Sequence, residues 1–131
     1  MKTDEEIKDD IYHFIEDSEL KTAVSGVIKK TRRPAGSDKE DIIISVLENG
    51  HGQIQEAIVN VNIYVADNIR DGQAEEDTIR CRQLSRIAAD LLEVGRGDGF
   101  RFILDRQRVM PVNGKDEHFI NNRLLYKQVN E

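Results

Sequence analysis

The segment from Ile54 to Val65 constrains the fold of this chain most strongly. Within it, apolar residues alternate strictly with polar or aromatic ones in the order Val59, Asn60, Val61, Asn62, Ile63, Tyr64 and Val65. Successive side chains of a β-strand point to opposite faces, so this alternation predicts a strand with one face in the core and one face in water. The order of the elements around this strand is the main guide to the fold.

The composition limits the size and the class of the protein. A chain of 131 residues, 38% hydrophobic and 34% charged, predicts one domain over residues 1–131 with a single core. Its 25 acidic and 19 basic residues give a net charge of −6, which disfavours nonspecific binding to a phosphate backbone. The single cysteine, Cys81, excludes an intramolecular disulfide, and no apolar run precedes the acidic Thr3–Asp10 segment. We therefore expect a soluble protein made in a reducing cytoplasm.

The N-terminal region predicts one helix and then a short helical turn. Thr3 and Glu6 have the spacing of a capping box, and apolar residues then follow at helical spacing at positions Ile7, Ile11, Phe14 and Ile15. Ser18 should cap the second turn, and Gly26 should end it in a left-handed conformation. His13, beside the apolar side, is interpreted as a surface residue because no second metal ligand is near in sequence.

A basic cluster consisting of Lys29, Lys30, Arg32 and Arg33 precedes a loop rich in Pro and Gly. The residues from Val27 to Arg33 are expected to be extended, because β-branched residues open the segment and Pro34 restricts the residue before it. Two interpretations compete for the cluster. An edge strand protected by its charges is favoured over a contact with nucleic acid or with a partner.

Two strands joined by a glycine turn are expected to form the nucleus of the sheet. The apolar run within Asp41–Glu48 has the length of a strand and predicts a central one, covered on both faces. Asn49–Gln53 then supplies the turn into the alternating strand. Gly50 and Gly52 flank His51 in a pattern superficially like a phosphate-binding loop, but no helix and no Lys-Ser/Thr pair follows. We interpret this segment as a hairpin turn.

A long helix is predicted from about Ala74 to Val94, closed by Gly95. Its acidic first turn would contain Glu75, Glu76 and Asp77, and its apolar side would contain Cys81, Leu84, Ile87, Ala88, Leu91 and Leu92. Cys81 is interpreted as a small core residue, since no CxxC partner or nearby His indicates an activated thiolate.

The C-terminal third predicts a second hairpin. Its first strand alternates from Phe100 and continues to Val109, with a bulge or bend around 105–108, and its second strand covers Glu117–Val129. Asp116, Glu117 and His118 are the nearest approach to a catalytic cluster. Asp116 and His118 could share one face of a strand, but without a nucleophile or a third ligand they are weak evidence for a site.

The predicted fold class is α+β, with a largely antiparallel sheet of four to five strands and with an N-terminal helix and one long helix packed on one face. This order of elements carries a family resemblance, together with the stretch Val59–Asp67, the amphipathic helix after it and a last strand ending Leu124-Leu125-Tyr126-Lys127. The chain resembles the small tail-completion or tail-terminator proteins of tailed bacteriophages and prophages over nearly its whole length. The charged segment Thr31–Asp38 departs from the shorter link typical of that family.

The resemblance implies a structural protein without catalytic residues, metal or cofactor. Such a protein caps the head-proximal end of the tail as a ring, usually a hexamer, and joins the tail tube to the head connector. It would be found in the virion tail or neck, and in the host cytoplasm during assembly, with no membrane partner. DNA would only pass through the ring, without sequence-specific binding, along a channel lined or flanked by acidic residues.

Within such a ring, the cations Lys29, Lys30, Arg32 and Arg33 could meet acidic residues of the next subunit in a head-to-tail contact. Two alternatives stay open. One is a small enzyme acting on a metal or phosphoester through Asp116, His118 and His51, and the other is a regulatory binding module whose basic strand contacts an acidic partner.

Overall fold

A computed structural model describes residues 1–50 and 52–129. The predicted hairpin residue His51 lies outside this range. The described part of the chain has three helices: α1 (Asp4–Ile15), α2 (Glu19–Ala23) and α3 (Thr78–Leu92). Its strands are β1 (Ile28–Lys30), β2 (Ile42–Gly50), β3 (Glu56–Ala66), β4 (Asn68–Arg70), β5 (Gln73–Glu75), β6 (Val94–Gly97), β7 (Phe100–Pro111) and β8 (Glu117–Gln128).

Six of these strands form one mixed sheet in the order β1-β2-β3-β8-β7-β6. Every neighbouring pair is antiparallel except β1 and β2, which run parallel. The predicted α+β class is confirmed, but the predicted count of four to five strands is too low. Strand β6 was not predicted from the sequence, and neither was the separate two-stranded hairpin of β4 and β5.

The N-terminal helices begin where their capping residues predict. The Thr3 hydroxyl accepts a hydrogen bond from the Glu6 amide, and the Glu6 carboxylate accepts one from the Thr3 amide, so the predicted capping box is present. Ser18 caps α2 as predicted. The prediction for Gly26 is wrong because its φ is not positive. A glycine is needed at position 26 for a steric reason instead, because a Cβ there would lie 2.3 Å from Asp41 Oδ1.

The core lies between the helices and one face of the sheet. Ala57, Val59, Val61, Ile63 and Val65 of β3 are all buried, so the register predicted from the alternation is confirmed. One apolar cluster joins them to the inner sides of the helices, through Ile7, Ile11, Ile15, Leu20, Cys81, Leu84, Ala88 and Leu92. The helices thus cover a single face, and the other face, which we call the open face, has no helix of the described chain on it.

Several predicted boundaries are corrected by the structure. Helix α3 begins at Thr78 rather than near Ala74, because Asp77 is its N-cap and accepts a hydrogen bond from the Arg80 amide. The helix also ends before Val94. Gly95 lies in β6, where the Phe102 ring occupies the position of its missing Cβ. The predicted bulge is confirmed near Asp105, where the pairing of β7 with β8 shifts register.

Strand β2 is only partly covered on both faces. Ile42, Ile43 and Ile44 are buried, but Leu47 is 57% exposed beside a second register shift. The prediction of full coverage is therefore correct for the first half of the strand and wrong for the second.

Candidate functional site

The basic cluster, interpreted from the sequence as an edge strand in preference to a contact, is divided by the fold. Lys29 and Lys30 lie on the edge strand β1, and the next residue, Thr31, has a φ of +71°. A β-branched residue seldom adopts this conformation, which turns the chain away from the strand. After the turn Arg32 stays exposed, whereas the Arg33 side chain is only 13% exposed.

Two of the four cations make ion pairs within the chain. Lys30 pairs with Asp9 of α1, and its ammonium lies 5.3 Å from the centre of the Tyr12 ring. Asp9 raises the pKa of Lys30 by accepting its hydrogen bond. Lys29 and Arg32 are exposed and make no ion pair with the residues that the structure describes. They are therefore the members of the cluster best placed to meet another molecule.

Arg33 is the centre of a buried ion cluster at one end of the open face. Its guanidinium donates to Asp41 at 2.8 Å and to the two carboxylate oxygens of Glu117 at 2.6 and 2.7 Å. It also lies 4.3 Å from the centre of the Tyr64 ring. The Asp41 and Glu117 side chains are only 2% and 4% exposed, so Arg33 compensates most of their charge, and Lys115 Nζ lies 3.7 Å from Glu117 Oε1. Arg33 thus fastens the 31–41 loop to the end of the sheet.

The loop carboxylates are stabilised in their charged form. Burial alone would raise the pKa of Asp41, but hydrogen bonds from Ser37, Arg33 and the Val27 amide hold it below its ordinary value. The neighbouring Glu40 also has a lowered pKa, chiefly because Arg80 of α3 donates to both of its carboxylate oxygens.

The open face is organised in rows that cross the strands. The register aligns Val94, Ile103, Leu125 and Ile58 of β6, β7, β8 and β3 in one aliphatic row. Val94 is 68% and Ile103 is 49% exposed, so the end of this row at the β6 edge is open to solvent. An aliphatic row that faces water on a sheet is a feature of interaction surfaces.

Cationic side chains lie on both sides of this aliphatic row. One neighbouring row contains Arg96, Arg101 and Lys127, and the rows on the other side contain Arg106, Arg108 and Arg123. Among the described residues, Arg123 and Lys127 approach carboxylates, of Asp105 at 3.6 Å and Glu56 at 3.5 Å, whereas the other four have no ion pair. In a chain of net charge −6 this half of the open face is therefore a local concentration of positive charge.

The middle of the open face is polar and already internally hydrogen bonded. The Asn121 amide group donates to the side-chain oxygens of Asn60 and Asn62, at 3.2 and 2.7 Å. A depression of about 290 Å³ lies over these asparagines and is bordered by Arg106, Arg108, Arg123, Leu47, Met110 and Phe119. The asparagines that alternate with the core valines of β3 thus form the floor of an arginine-bordered surface.

The predicted pairing of Asp116 with His118 is not formed. Asp116 is exposed in the turn before β8, whereas His118 Nδ1 lies 2.6 Å from Asp67 Oδ1 and its Nε2 lies 4.0 Å from Glu76 Oε1. Glu117 points to the other face, as predicted, and binds Arg33. His118 therefore joins the end of β3 to the segment before α3. His13, 68% exposed, is the predicted surface residue.

The remaining candidates in the described residues are the cysteine, possible metal ligands and membrane-spanning helices. Cys81 is buried as predicted, and burial raises the pKa of its thiol to about 11. Residues 1–50 and 52–129 contain no group of three or more His, Cys, Asp or Glu side chains that could hold a metal ion. No helix in the same ranges is long and apolar enough to cross a membrane.

No known protein family matches the chain, and no curated protein matches it.

The rows of the open face were not predicted from the sequence, because they depend on register across four strands. The hairpin of β4 and β5 was not predicted either, although the Asp71-Gly72 pair is a strong signal for a two-residue turn. Both residues have positive φ, +50° and +76°, as a type I′ turn requires.

Proposed function

We propose that this protein is a structural subunit of a tailed bacteriophage or prophage, which caps the head-proximal end of the tail as a homo-oligomeric ring and joins it to the head connector. The order of elements, the amphipathic helix after β3 and the C-terminal hairpin support the proposal through the family resemblance. The observation that carries it is the open face, where cations border exposed aliphatic residues on an otherwise acidic chain. Such a surface suits assembly with other proteins better than a small-molecule reaction.

The fold narrows the proposed contact of the basic cluster. Lys30 and Arg33 are engaged by carboxylates of their own subunit, so Lys29 and Arg32 are left to meet the next one. Exposed ion pairs contribute little affinity each and are screened by salt. The ring should therefore form at the high local concentration on a tail tube more readily than in dilute solution.

The acidic charge of the chain also suits the proposed channel. A passage for DNA must not retain phosphates, and a subunit of net charge −6 repeated around a ring repels them when its acidic residues face the channel. In this arrangement the arginines of the open face would lie at protein contacts, away from the DNA.

Electron microscopy of particles after deletion of the gene tests the proposal. We expect overlong tails or tails without heads, and restoration of normal particles by the wild-type gene. Normal-length tails joined to heads in the deletion strain would contradict the proposed role.

The proposed contact is tested by complementation with Lys29→Glu/Arg32→Glu. We expect this variant to fold but not to restore normal tails. A matched reversal of two other exposed cations, Arg82→Glu/Arg86→Glu on α3, makes the same change in net charge and should restore them. Restoration by both variants would show that the exposed part of the basic cluster is not a ring contact.

A further inference from the structure

The hairpin of β4 and β5, which we call the arm, has no cover within the described chain. Its strands pair only with each other, and all six strand residues are exposed. Ile69 and Ala74 are cross-strand partners on one side of the arm, and Ile69 is 68% exposed. A two-stranded hairpin is marginally stable on its own, so an arm with an apolar side in solvent needs a surface to pack against.

Contacts with β8 hold the base of the arm, whereas its tip at Asp71 and Gly72 is exposed. His118 of β8 contacts Asp67, directly before β4, and approaches Glu76, directly after β5. The Asp67 amide also donates to the Asp116 carbonyl at 3.1 Å. The arm is therefore held in a defined direction at the end of the sheet where α3 begins.

The arm is acidic as well as apolar. The segment Asp67–Asp77 contains five carboxylates and one arginine. Asp71 at the tip and Glu75 on β5 are exposed, and Ile79, which follows on the first turn of α3, is 71% exposed. The surface thus combines exposed isoleucines with negative charge.

The β6 end of the open face has the complementary composition. There Val94 and Ile103 are exposed directly between the row of Arg96 and Arg101 and the row of Arg106. The arm of the same subunit lies at the opposite end of α3, whose 15 residues span about 22 Å. One subunit therefore presents two unlike, complementary surfaces at separate places, which is the arrangement of a head-to-tail contact.

We propose that the arm of one copy of this chain docks on the Val94–Ile103 patch of the next copy, with Ile69 against the aliphatic row and the arm carboxylates against the flanking arginines. This inference rests on the proposed ring and adds a second contact to the one proposed for Lys29 and Arg32. The contact is heterologous, so repetition with a suitable rotation closes a ring. The aliphatic residues supply affinity, and the charges orient the arm.

Cross-linking of single-cysteine variants tests the contact in the full-length chain. Cys81 is only 2% exposed and stays in place, so the new thiols are the accessible ones. We expect a mixture of Ile69→Cys and Ile103→Cys proteins to give a cross-linked heterodimer with a short bis-maleimide, several-fold above the amount from either protein alone. Efficient cross-linking of one variant with itself would indicate a two-fold symmetric contact and would overturn the head-to-tail arrangement.

Two controls complete the experiment. A mixture of Ile54→Cys and Ile103→Cys places the first thiol on another residue that is 62% exposed, outside the arm, and should give only background cross-linking. Adding Arg96→Glu/Arg101→Glu to the Ile103→Cys protein should reduce the heterodimer several-fold. A heterodimer yield equal to that of the Ile54→Cys mixture would overturn the proposed contact.

The cross-linking result and the tail phenotype of the deletion strain test the contact and the proposed function separately. Cross-linking as expected, with normal tails in the deletion strain, would leave the contact in place and remove the phage role. Abnormal tails in the deletion strain, with no specific cross-link, would support the phage role and overturn the proposed contact.

Discussion

The two faces of the central sheet are made by the same strands but are determined by different interactions. On the helix-covered face of β3, Val59, Val61 and Ile63 are each 0% exposed and belong to one core with the helices. On the open face the intervening Asn60 and Asn62 accept hydrogen bonds from Asn121 and adjoin arginines. The covered face thus supplies the stability of the fold, and the open face is available for assembly.

The largest effect should come from placing a charge on the covered face. Val61→Asp would bury a carboxylate without a partner and should cost about 5 kcal/mol or more of unfolding free energy, enough to unfold a domain of this size. Asn62→Asp, on the open face, keeps an acceptor for Asn121 and should cost less than about 1 kcal/mol. Urea unfolding of both variants measures the difference, and equal losses would show that the two faces are energetically alike.

The next effect concerns the Arg33 cluster, which is buried at one end of the open face. Arg33→Met would leave the buried Asp41 side chain without a cation and Glu117 with only Lys115, whose Nζ lies 3.7 Å from Glu117 Oε1, at a cost of about 3–5 kcal/mol in unfolding free energy. Its neighbour provides the control, since Arg32→Met changes an exposed side chain and should stay within about 0.5 kcal/mol. A small loss for Arg33→Met in urea unfolding would mean that the cluster does not hold the loop.

Asp41 of this cluster and its neighbour Glu40, which Arg80 binds, should also make stability sensitive to acid. The pKa values of Asp41 and Glu40 are lowered on folding from ordinary values of 3.8 and 4.5. Their contribution is therefore fully present above those values and is lost as the pH falls through the lower folded values. In Arg33→Met, protonated Asp41 no longer needs a cation, so the stability difference from wild type should shrink below about pH 4. A difference that is constant from neutral pH to about pH 3 would contradict the assigned role of Asp41.

The smallest effect on stability should come from the exposed arginines of the open face. Arg106→Ala and Arg108→Ala remove exposed side chains that have no ion pair within the described ranges, so each should change the unfolding free energy by less than about 0.5 kcal/mol. Thermal unfolding at neutral pH is a sufficient measurement. A loss above about 2 kcal/mol would assign these residues to the fold instead of to assembly.

The same contrast explains how much could be predicted from the sequence. The period of apolar residues predicted β3, the inner side of α3 and the C-terminal hairpin, because burial repeats along a single element. The capping roles of Thr3 and Ser18 also depend only on residues close in sequence, and both predictions were confirmed. The start of α3 was placed too early because Glu75 and Glu76 were assigned to its first turn, whereas Asp77 is the cap.

Features that depend on several strands could not be predicted in this way. The row of Val94, Ile103 and Leu125 exists only through the pairing of β6, β7 and β8. Similarly, Arg33 was grouped with its sequence neighbours although it binds Glu117, which is 84 residues away. Asn122, 0% exposed on the covered face, is compatible with the core because it bonds the Val61 carbonyl and Gln107.

We propose that the exposed arginines of the open face act in assembly and not in folding. This proposal is tested most directly by electron microscopy of particles from the gene-deletion strain complemented with Arg106→Glu/Arg108→Glu, beside the charge-matched Arg82→Glu/Arg86→Glu. We expect the open-face variant to be as soluble and as stable as the wild type yet to leave tails overlong or unjoined to heads, while the α3 variant restores normal particles. Normal tails with both variants would contradict the assignment of the open face to assembly.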